Sequence, residues 1–528
     1  MIISFSHLGT HGRVGNQLFQ IMSTIGIAER IDSQVGFPAW QYEQYFENKL
    51  SNINSNPFEA QNVKEQKFSY DIQVELYCKN SGWKNYDLLG YFQSEKYFPT
   101  NAKEIFKFKK DFLQTVKDKL PDNGKKNIAI HIRRGDYQKE PYCNLYYQLP
   151  ITYFIDSLLQ IEDWQDYNLI IFSDDLDYCK LHFECAGAYF PELNEIETLA
   201  AGTFCEHFII SNSTFGWWLA YLGEKENSKV IHPGHYFTGR LAEENDIRDF
   251  WPERWTENKK DKYTLDISDL TFTIPVMFDH KDRKQNLDLC VCILQNYFKT
   301  NIIIGEQGGD RFKYMSQWCQ YTWFTNLRYF HRTRMLNQMC LQANTPFIAN
   351  WDCDVIITPF QIYMAVLSLR SGKDVVFPYD GRFARWDREL WFRKIEKTLD
   401  IGCTAKVKPR GNRGADIEGQ TSVGGAVFVN KESFIKAGME NENMISFGPE
   451  DCERNDRFSM LGLSIERTPG YLHHINHWIG PDSSIRNPFF KANHVEIEKI
   501  RAMNKQQLQA YVNTWAWCKA KLPELSKV

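Results

Sequence analysis

The chain has 528 residues, of which 43% are hydrophobic and 15% aromatic, enough to build two or more folded domains and too apolar for a disordered protein. Its formal net charge of -4 argues against nucleic acid as a partner, because such proteins carry a basic field. The 13 cysteines contain no Cys-x-x-Cys pair, which indicates reduced thiols. With no apolar run of membrane-span length and no signal peptide, we expect a cytoplasmic, bacterial-type protein, with peripheral membrane association as an alternative.

The first half of the chain alternates short apolar runs with amphipathic stretches, which predicts an α/β fold with a parallel sheet and crossover helices. Strands are predicted over 1–5, 127–132, 167–173, 207–210 and 229–232, and a helix over 215–222. The repeated order of strand, polar loop and helix is typical of a Rossmann-like half. The pattern stops between Gly239 and Asp269, so we predict one module over 1–258, a packed connector over 259–270 and a second module over 271–528.

The second half begins with a new set of apolar runs. Strands are predicted over 272–278, 301–304 and 346–350. The final stretch, 495–517, has helical apolar spacing and is interpreted as a helix that closes the domain, with a membrane-surface helix as the alternative.

Two adjacent arginines follow the buried strand predicted over 127–132. Arg133 and Arg134 are followed at once by Gly135 and Asp136. Guanidinium groups match phosphate oxygens bidentately, and ligands of open α/β sheets bind at the carboxyl ends of strands. This pattern predicts a site for the diphosphate of a nucleotide sugar.

Other polar residues close predicted strands of the first half, and each has two interpretations. Asp174 and Asp175 bind guanine or ribose, or they only terminate a strand. The residues before the predicted helix contact phosphates or cap the helix; they are Ser211, Asn212, Ser213 and Thr214. Asp136 and His131 lie where a general base is needed, or they only orient the arginines.

Four segments in order resemble the α1,2-fucosyltransferase family: 12–20, 90–97, 131–136 and 211–218. The resemblance implies a GT-B-like fold and metal-independent, inverting transfer of fucose from GDP-fucose to the 2-hydroxyl of a terminal galactose. It implies catalytic roles for Arg133, Arg134 and Asp136. It places the following on the donor: His131, Asp174, the 211–214 segment, and a loop with Gly12, Gly15 and Asn16. A protein O-fucosyltransferase is the weaker alternative.

The second half contains an Asp-x-Asp pair after a predicted strand. Asp352 and Asp354 at such a bend can hold a divalent cation that also binds a diphosphate. Acidic and imidazole groups follow downstream, namely Glu450, Asp451, His473, His474 and His477. Imidazole and carboxylate ligands both suit Mn²⁺, which is the expected ion.

These segments resemble metal-dependent GT-A glycosyltransferases, especially the β1,4-galactosyltransferase and polypeptide N-acetylgalactosaminyltransferase branch. The resemblance implies Asp354 and His474 as metal ligands, with His477 and His473 as substitutes for His474. Asp352 would bind ribose or metal. Asp451 would be the base and Glu450 would hold the acceptor, with a helix-capping pair as the alternative.

The two resemblances together predict a bifunctional glycosyltransferase. The second module would add a hexose, galactose from UDP-galactose, and the first would cap it with fucose. The expected partners are GDP-fucose, a UDP-sugar and a galactose-terminated glycan. The alternatives are UDP-GalNAc, UDP-GlcNAc or UDP-glucose as the second donor, or a second module that binds glycans without turnover.

Overall fold

The computed structural model describes residues 1–50, 60–308, 319–324, 329–407, 412–413, 421–480 and 483–519. The chain divides into two compact units: Met1–Lys180 with Gly187–Tyr263, and Leu181–Ala186 with Thr264–Val528. Residues 259–270, where the sequence predicts a connector, are divided between them: 259–263 lie in the first unit and 264–270 in the second. Both units are mixed α/β structures with parallel strand pairs, as the composition pattern predicts.

The described residues of the first unit form nine strands in two parallel sheets, with the orders β2-β1-β4-β3 and β6-β5-β7-β8-β9. The strands are β1 (Ile2–Ser4), β2 (Gln34–Gly36), β3 (Gln61–Lys64), β4 (Asn85–Leu89), β5 (Asn127–Ile132), β6 (Asn168–Ser173), β7 (His207–Ile209), β8 (Val230–Pro233) and β9 (Thr256–Asn258). The helices are α1 (Val14–Arg30), α2 (Ile72–Asn80), α3 (Ala102–Ile105), α4 (Lys110–Lys117), α5 (Ile151–Leu158), α6 (Leu176–Phe183), α7 (Glu195–Gly202), α8 (Thr214–Gly223) and α9 (Gly239–Glu244).

Strand β5 has the bounds predicted from its apolar run. All six of its residues are buried, because β6 and β7 pair with it on either side. A strand in the interior of a parallel sheet is mostly apolar, and four of the six residues of β5 are, which is why the sequence predicts it correctly; the other two, Asn127 and His131, are buried polar residues. The carboxyl end of β5, and therefore Arg133, lies between the ends of two neighbouring strands.

An aromatic core fixes helix α1 against helix α8. Trp217 and Trp218 of α8 are fully buried, and the ring of Phe19 on α1 lies 4.6 and 5.1 Å from theirs. Aromatic pairs at these distances add packing energy beyond the area they bury. Because the two helices pack through these rings, their N-terminal turns meet at the site described below.

The second unit contains a mixed seven-stranded sheet, in the order β12-β11-β10-β13-β18-β15-β19, and a four-stranded sheet, β14-β20-β16-β17. The strands are β10 (Leu265–Met277), β11 (Phe298–Gln307), β12 (Gln320–Phe324), β13 (Phe347–Trp351), β14 (Val355–Ile356), β15 (Val375–Phe377), β16 (Phe383–Trp386), β17 (Asn412–Arg413), β18 (Ala426–Asn430), β19 (Ile465–Arg467) and β20 (Leu472–Ile475). The helices are α10 (Lys281–Tyr297), α11 (Arg332–Gln342), α12 (Pro359–Arg370), α13 (Arg388–Ile395), α14 (Lys431–Lys436), α15 (Glu450–Leu461), α16 (Phe490–Arg501), α17 (Lys505–Val512) and α18 (Ala516–Lys519).

The C-terminal region differs from the single helix predicted over 495–517. It forms three short helices, α16 to α18, because Asn504 caps α17 and forms a capping box with Gln507. Trp515 is buried, and Trp517 donates to the carbonyl of Gly438 at 3.1 Å, so the segment packs on its own unit. Among the described residues, no helix combines the length and apolar character that a bilayer crossing requires.

Candidate functional site

The backbone at the carboxyl end of β5 is fixed by a serine. The N–H of Arg133 donates to the hydroxyl of Ser211 at 2.9 Å, and that hydroxyl donates to the carbonyl of His131 at 2.9 Å. Ser211 is fully buried. One predicted donor residue thus ties β5 to the segment before α8 and sets the position of the first arginine.

Two carboxylates hold the guanidinium of Arg133. Asp136 and Asp174 each place an oxygen 2.6 Å from it. Asp174 also accepts the backbone N–H groups of Arg134 at 2.9 Å and Gly135 at 3.0 Å. These contacts occupy the Asp174 carboxylate as a clamp on the arginine loop, which favours its structural interpretation over contact with guanine or ribose.

The second arginine has different surroundings. The Nε of Arg134 lies 3.4 Å from Asp175, and its guanidinium lies 3.5 Å from the centre of the Tyr178 ring. Both a carboxylate and an aromatic face stabilise a guanidinium. The adjacent arginines are therefore held separately, Arg133 by Asp136 and Asp174, and Arg134 by Asp175 and Tyr178.

A third arginine, not predicted from the sequence, joins this cluster. Arg13 immediately precedes α1, its side chain is 70% exposed, and its guanidinium lies 3.4 Å from Asp136. Asp136 therefore lies between Arg13 and Arg133. Arg13 stands inside the segment 12–20 that carries the family resemblance, but only the glycines and the amide of that segment were predicted to act.

The segment before α8 uses its polar side chains to build the fold. The hydroxyl of Ser213 caps α8 by accepting the N–H of Phe215 at 3.2 Å. The amide of Asn212 donates to the carbonyls of Tyr147 and Tyr236 at 3.0 and 2.7 Å. The capping interpretation is therefore realised for Ser213, and phosphate contact by this segment stays a prediction.

The predicted glycine loop is largely the first turn of a helix. Gly12 turns the chain at a φ of +84°, and α1 begins two residues later, so Gly15 and Asn16 are helical. A Cβ on Gly15 would lie 2.8 Å from the backbone nitrogen of Phe215, so a side chain there would push α1 away from α8. Asn16 accepts the amide N–H of Gln93 at 2.9 Å.

His131 is a buried, neutral imidazole. It is 5% exposed, and burial lowers its pKa to about 4, with the nearby Asp174 offsetting only part of the effect. Its ring lies 5.5 Å from that of Phe215. A histidine in this state supports the arginine loop as an uncharged group at neutral pH.

In the second unit, the Asp-x-Asp pair follows strand β13 and leads into β14. Because β14 pairs with β20, Val355 lies opposite His474. Asp354 is 4% exposed, and its oxygens lie 2.9 Å from His477 Nε2 and 3.6 Å from His474 Nε2. One potential ligand atom from each of Asp354, His474 and His477 lies within 4.8 Å of the others.

These three residues fit a divalent metal ion. Burial raises the pKa of Asp354, but His474, His477 and Arg283 lower it more, so the carboxylate is held ionised. The Nδ1 of His477 donates to the carbonyl of Trp478 at 2.6 Å, which directs Nε2 towards Asp354. A carboxylate oxygen and two imidazole nitrogens form a donor set that suits borderline divalent ions.

The other two residues predicted near the metal have different contacts. His473 is buried and accepts the indole N–H of Trp386 at 2.9 Å on its Nδ1, outside the group that could hold a metal. Neighbouring residues of a strand face opposite sides, so His474 and His473 cannot both face Asp354. Asp352 accepts two N–H groups of Arg332, at 2.9 and 3.0 Å.

Arg332 connects the Asp-x-Asp pair to the predicted acceptor residues. It is the first residue of α11, and its Nη1 lies 3.3 Å from Asp451, which also pairs with Arg454 at 2.9 Å. Arg332 was not predicted as a site residue. Its contacts span 119 residues of sequence, so no local pattern reveals them.

Glu450 and Asp451 are held in opposite protonation states. Burial raises the pKa of Glu450 to about 8, and the adjacent Asp451 adds to the effect. Burial also raises the pKa of Asp451, but Arg332 and Arg454 lower it more. Neighbouring carboxyl groups pushed apart in this way are an arrangement that acid–base sites use.

Asp451 pairs with two arginines and does not cap a helix. It lies in the first turn of α15, whose N-cap residue Pro449 makes no side-chain cap. A Cβ on Gly424 would lie 2.7 Å from an Asp451 oxygen, so a glycine is required for this close approach. The contacts of Asp451 are therefore ion pairs and not helix-capping hydrogen bonds.

One cavity of about 410 Å³ is lined by the Asp-x-Asp pair and by Arg332, Glu450, Asp451, His474 and His477. Arg283 adds a cation next to the metal-ligand group: its Nη1 lies 3.5 Å from Asp354, and its Nη2 donates to Ser483 at 3.1 Å. The rim carries apolar side chains, among them Phe447 and Ile479. The volume and the mixed lining are those of a small-molecule site.

Comparison with known proteins gives a family match for the N-terminal part of the chain. Residues 11–255 match the model of glycosyl transferase family 11. The O-antigen biosynthesis glycosyltransferase WbnK of Escherichia coli is 31% identical over 177 residues, which cover 31% of this chain and 59% of that protein. An α-1,2-colitosyltransferase of the same organism is 25% identical over 289 residues, 47% of this chain and 97% of that protein.

Among solved structures, the catalytic domain of Drosophila β1,4-galactosyltransferase 7 in complex with xylobiose aligns with 38% of this chain and 64% of that chain, at 16% identity and a TM-score of 0.24. That score is below the level of a shared fold. The chain spans 59% of the length of the E. coli O-antigen enzyme. Its N-terminal part, residues 11–255, is thus the part that matches a glycosyltransferase family, family 11.

Proposed function

We propose that the chain is a bifunctional glycosyltransferase whose first unit transfers fucose from GDP-fucose to the 2-hydroxyl of a terminal galactose. The observation that carries this proposal is the cluster of Arg13, Arg133 and Arg134 around the carboxyl end of β5. The cluster lies within the residues that match family 11. Three guanidinium groups, of which those of Arg133 and Arg134 are held in place, suit the diphosphate of a nucleotide sugar.

In the proposed reaction, the galactose oxygen bonds to C1 of fucose while the bond from C1 to the diphosphate breaks. GDP leaves, and the hydroxyl proton passes to a base or to water. Negative charge grows on the leaving diphosphate, and fixed cations there lower the barrier. Arg133 needs little rearrangement, because Asp136 and Asp174 already fix it at 2.6 Å. Asp136 acts by positioning Arg133 and Arg13.

The second unit, in this proposal, transfers a hexose from a UDP-sugar to a glycan, with galactose as the first donor to test. The supporting observation is that Asp354, His474 and His477 share one cavity with Glu450 and Asp451. We propose Mn²⁺ at the three ligands, where it would neutralise charge on the leaving diphosphate.

The remaining chemistry of the second unit belongs to its side chains. Asp451, held ionised, would take the proton of the acceptor hydroxyl, and Glu450, protonated near neutral pH, would donate a hydrogen bond to the acceptor. Arg332 would hold Asp352 and Asp451 at a fixed separation. The two units would then act in sequence, the second adding the galactose that the first caps with fucose.

The test is a panel of labelled GDP- and UDP-sugars with lactose-type acceptors, with and without EDTA. Because one relative is named a colitosyltransferase, GDP-colitose belongs in the panel. We expect GDP-fucose transfer that survives EDTA and UDP-sugar transfer that requires manganese. UDP-GalNAc, UDP-GlcNAc and UDP-glucose are included to identify the second donor.

Two variants assign the activities to their units. Arg133→Ala should lower fucosyl transfer by about 10²-fold or more, comparable with loss of an oxyanion-hole donor, and spare hexosyl transfer. Asp354→Ala should do the reverse. If either variant abolishes both activities while the protein stays folded, the assignment of one activity to each unit is wrong. Fucosyl transfer without any UDP-sugar transfer would leave the second unit as a glycan-binding domain or as an enzyme that needs a different acceptor.

A further inference from the structure

Four aromatic side chains lie beside the arginine cluster of the first unit, and we call them the aromatic ledge: His11, Tyr91, Tyr142 and Tyr146. The rings of His11 and Tyr91 are stacked with centroids 5.2 Å apart and planes at 29°. The rings of Tyr142 and Tyr146 lie 6.2 Å apart. The ledge is thus made of one stacked pair and one looser pair.

Both pairs lie next to the groups proposed to hold the diphosphate. Tyr146 stacks on Tyr137 at 4.2 Å, and the guanidinium of Arg133 lies 5.5 Å from the Tyr137 ring. His11 lies two residues before Arg13, and the amide of Gln20 on α1 donates to the carbonyls of His11 at 3.1 Å and Gly90 at 3.2 Å, so α1 holds the segments of His11 and Tyr91 together. The ledge is therefore continuous with the arginine cluster.

The rings of the ledge are accessible, and the backbone beneath them is held. Tyr142 is 43% exposed, His11 is exposed, and Tyr91 and Tyr146 are half-buried. Glu65 accepts the N–H of Tyr91 at 2.7 Å, and the amide of Gln20 donates to the carbonyl of His11 at 3.1 Å. Exposed aromatic rings on a fixed backbone form a preorganised surface, which binds a ligand at low entropic cost.

The chemistry of the ledge matches a sugar. A galactose ring has one face of C–H groups, which packs on the negative face of an aromatic ring, and tyrosine hydroxyls can hydrogen-bond to its edge. Guanine would also stack on rings. However, His11 and Tyr91 come from the segments next to β1 and β4 of the first sheet, whereas a nucleotide at the end of β5 would lie on the second sheet.

We propose that the aromatic ledge binds the galactose-terminated acceptor and presents its hydroxyl to the fucose held at the arginine cluster. This inference rests on the function proposed for the first unit and adds the residues that recognise its acceptor. It also separates the site into two parts. Arg13, Arg133 and Arg134 bind the donor, and the ledge binds the acceptor.

Initial-rate kinetics of the full chain with GDP-fucose and lactose test the proposal. Tyr142→Ala should raise the KM for lactose about fivefold to tenfold, because it removes one aromatic contact. It should leave the KM for GDP-fucose unchanged. Tyr142→Phe keeps the ring and should recover most of the affinity. The matched control is Tyr77→Ala on α2, since Tyr77 is 44% exposed and lies outside the ledge.

An unchanged lactose KM in both Tyr142→Ala and Tyr91→Ala would overturn the proposal. A higher KM for GDP-fucose instead would overturn it too, by assigning the rings to the nucleotide. Saturation-transfer NMR with lactose tests the ledge without turnover. A lactose signal that is weaker in Tyr142→Ala than in Tyr77→Ala supports the ledge even if wild type transfers no fucose, and equal signals in the two variants refute it.

Discussion

A buried ion pair in the second unit allows a sharp test of how its charged interior is stabilised. Glu453 and Arg457 form a pair one helical turn apart on α15, with N–O distances of 2.6 and 3.2 Å, and both side chains are fully buried. Arg457 also donates to the carbonyls of Ala437 and Met439. The perturbation is Glu453→Gln, which keeps the shape of the side chain and removes its charge.

Removing one partner of a buried pair leaves the other charge without compensation, which costs about 3–5 kcal/mol. Arg457 keeps its two carbonyl acceptors, so we expect the lower end, about 3 kcal/mol. The double variant Glu453→Leu/Arg457→Met removes both charges and should be within about 1 kcal/mol of wild type or more stable, because no ion then remains buried.

The matched control is the pair Glu432–Lys436 on α14, which has the same spacing and order of charges but is 76% and 72% exposed. Glu432→Gln should leave stability unchanged within error, because water already solvates both groups. Equilibrium urea unfolding followed by circular dichroism measures all three variants. A loss of about 3 kcal/mol corresponds to a midpoint lower by about 1 M at a slope of about 3 kcal/mol/M. Equal midpoints for Glu453→Gln and Glu432→Gln would refute the reasoning.

Three further predictions concern the sites. Arg13→Ala should raise the KM for GDP-fucose about tenfold and leave the lactose KM unchanged, since it removes one charge-assisted contact; initial rates measure both. His477→Ala should weaken Mn²⁺ binding by about 10²-fold in electron paramagnetic resonance titrations, whereas His473→Ala should not. Burial raises the pKa of Glu65 from 4.5 to about 7. The protonated Glu65 therefore contributes its full stabilisation below pH 4.5 and loses it as the pH rises through 7. Over that range the free energy of unfolding of the first unit should fall by up to about 3 kcal/mol. Thermal unfolding at pH 5–9 measures this, and Glu65→Gln should remove the pH dependence.

The sequence predicts strand β5 to the residue, because a strand buried on both faces is mostly apolar and Arg133 ends it abruptly. It does not predict Arg13 as a partner of Asp136, since the two are joined only by the packing of α1 on α8. The sequence does not predict the role of Arg332 either, because its hydrogen bond to Asp451 depends on the tertiary fold.

In the metal-ligand group, the alternation of side chains along a strand decides which of two adjacent histidines can face Asp354. His473 and His474 are adjacent on β20, so only one of them can face Asp354, and the pairing of β14 with β20 selects His474. His477 follows the end of the strand, where the period no longer applies, and the carbonyl of Trp478 orients it. In the C-terminal region, the apolar spacing continues past the end of α16, so the spacing alone predicts one helix. The residue that indicates a break is Asn504, which caps the start of α17.

Both candidate sites hold an arginine between two carboxylates at the end of a strand or the start of a helix. Asp136 and Asp174 flank Arg133, and Asp352 and Asp451 flank Arg332. An arginine fixed in this way is preorganised, so it loses little free energy to rearrangement when a ligand's charge develops beside it. The carboxylates also offset its positive charge, so the site attracts a diphosphate less strongly before binding. The flanking carboxylates thus weaken the binding of the donor but fix the orientation of the arginine. Removal of one of them should therefore affect kcat more than it affects the KM for the donor.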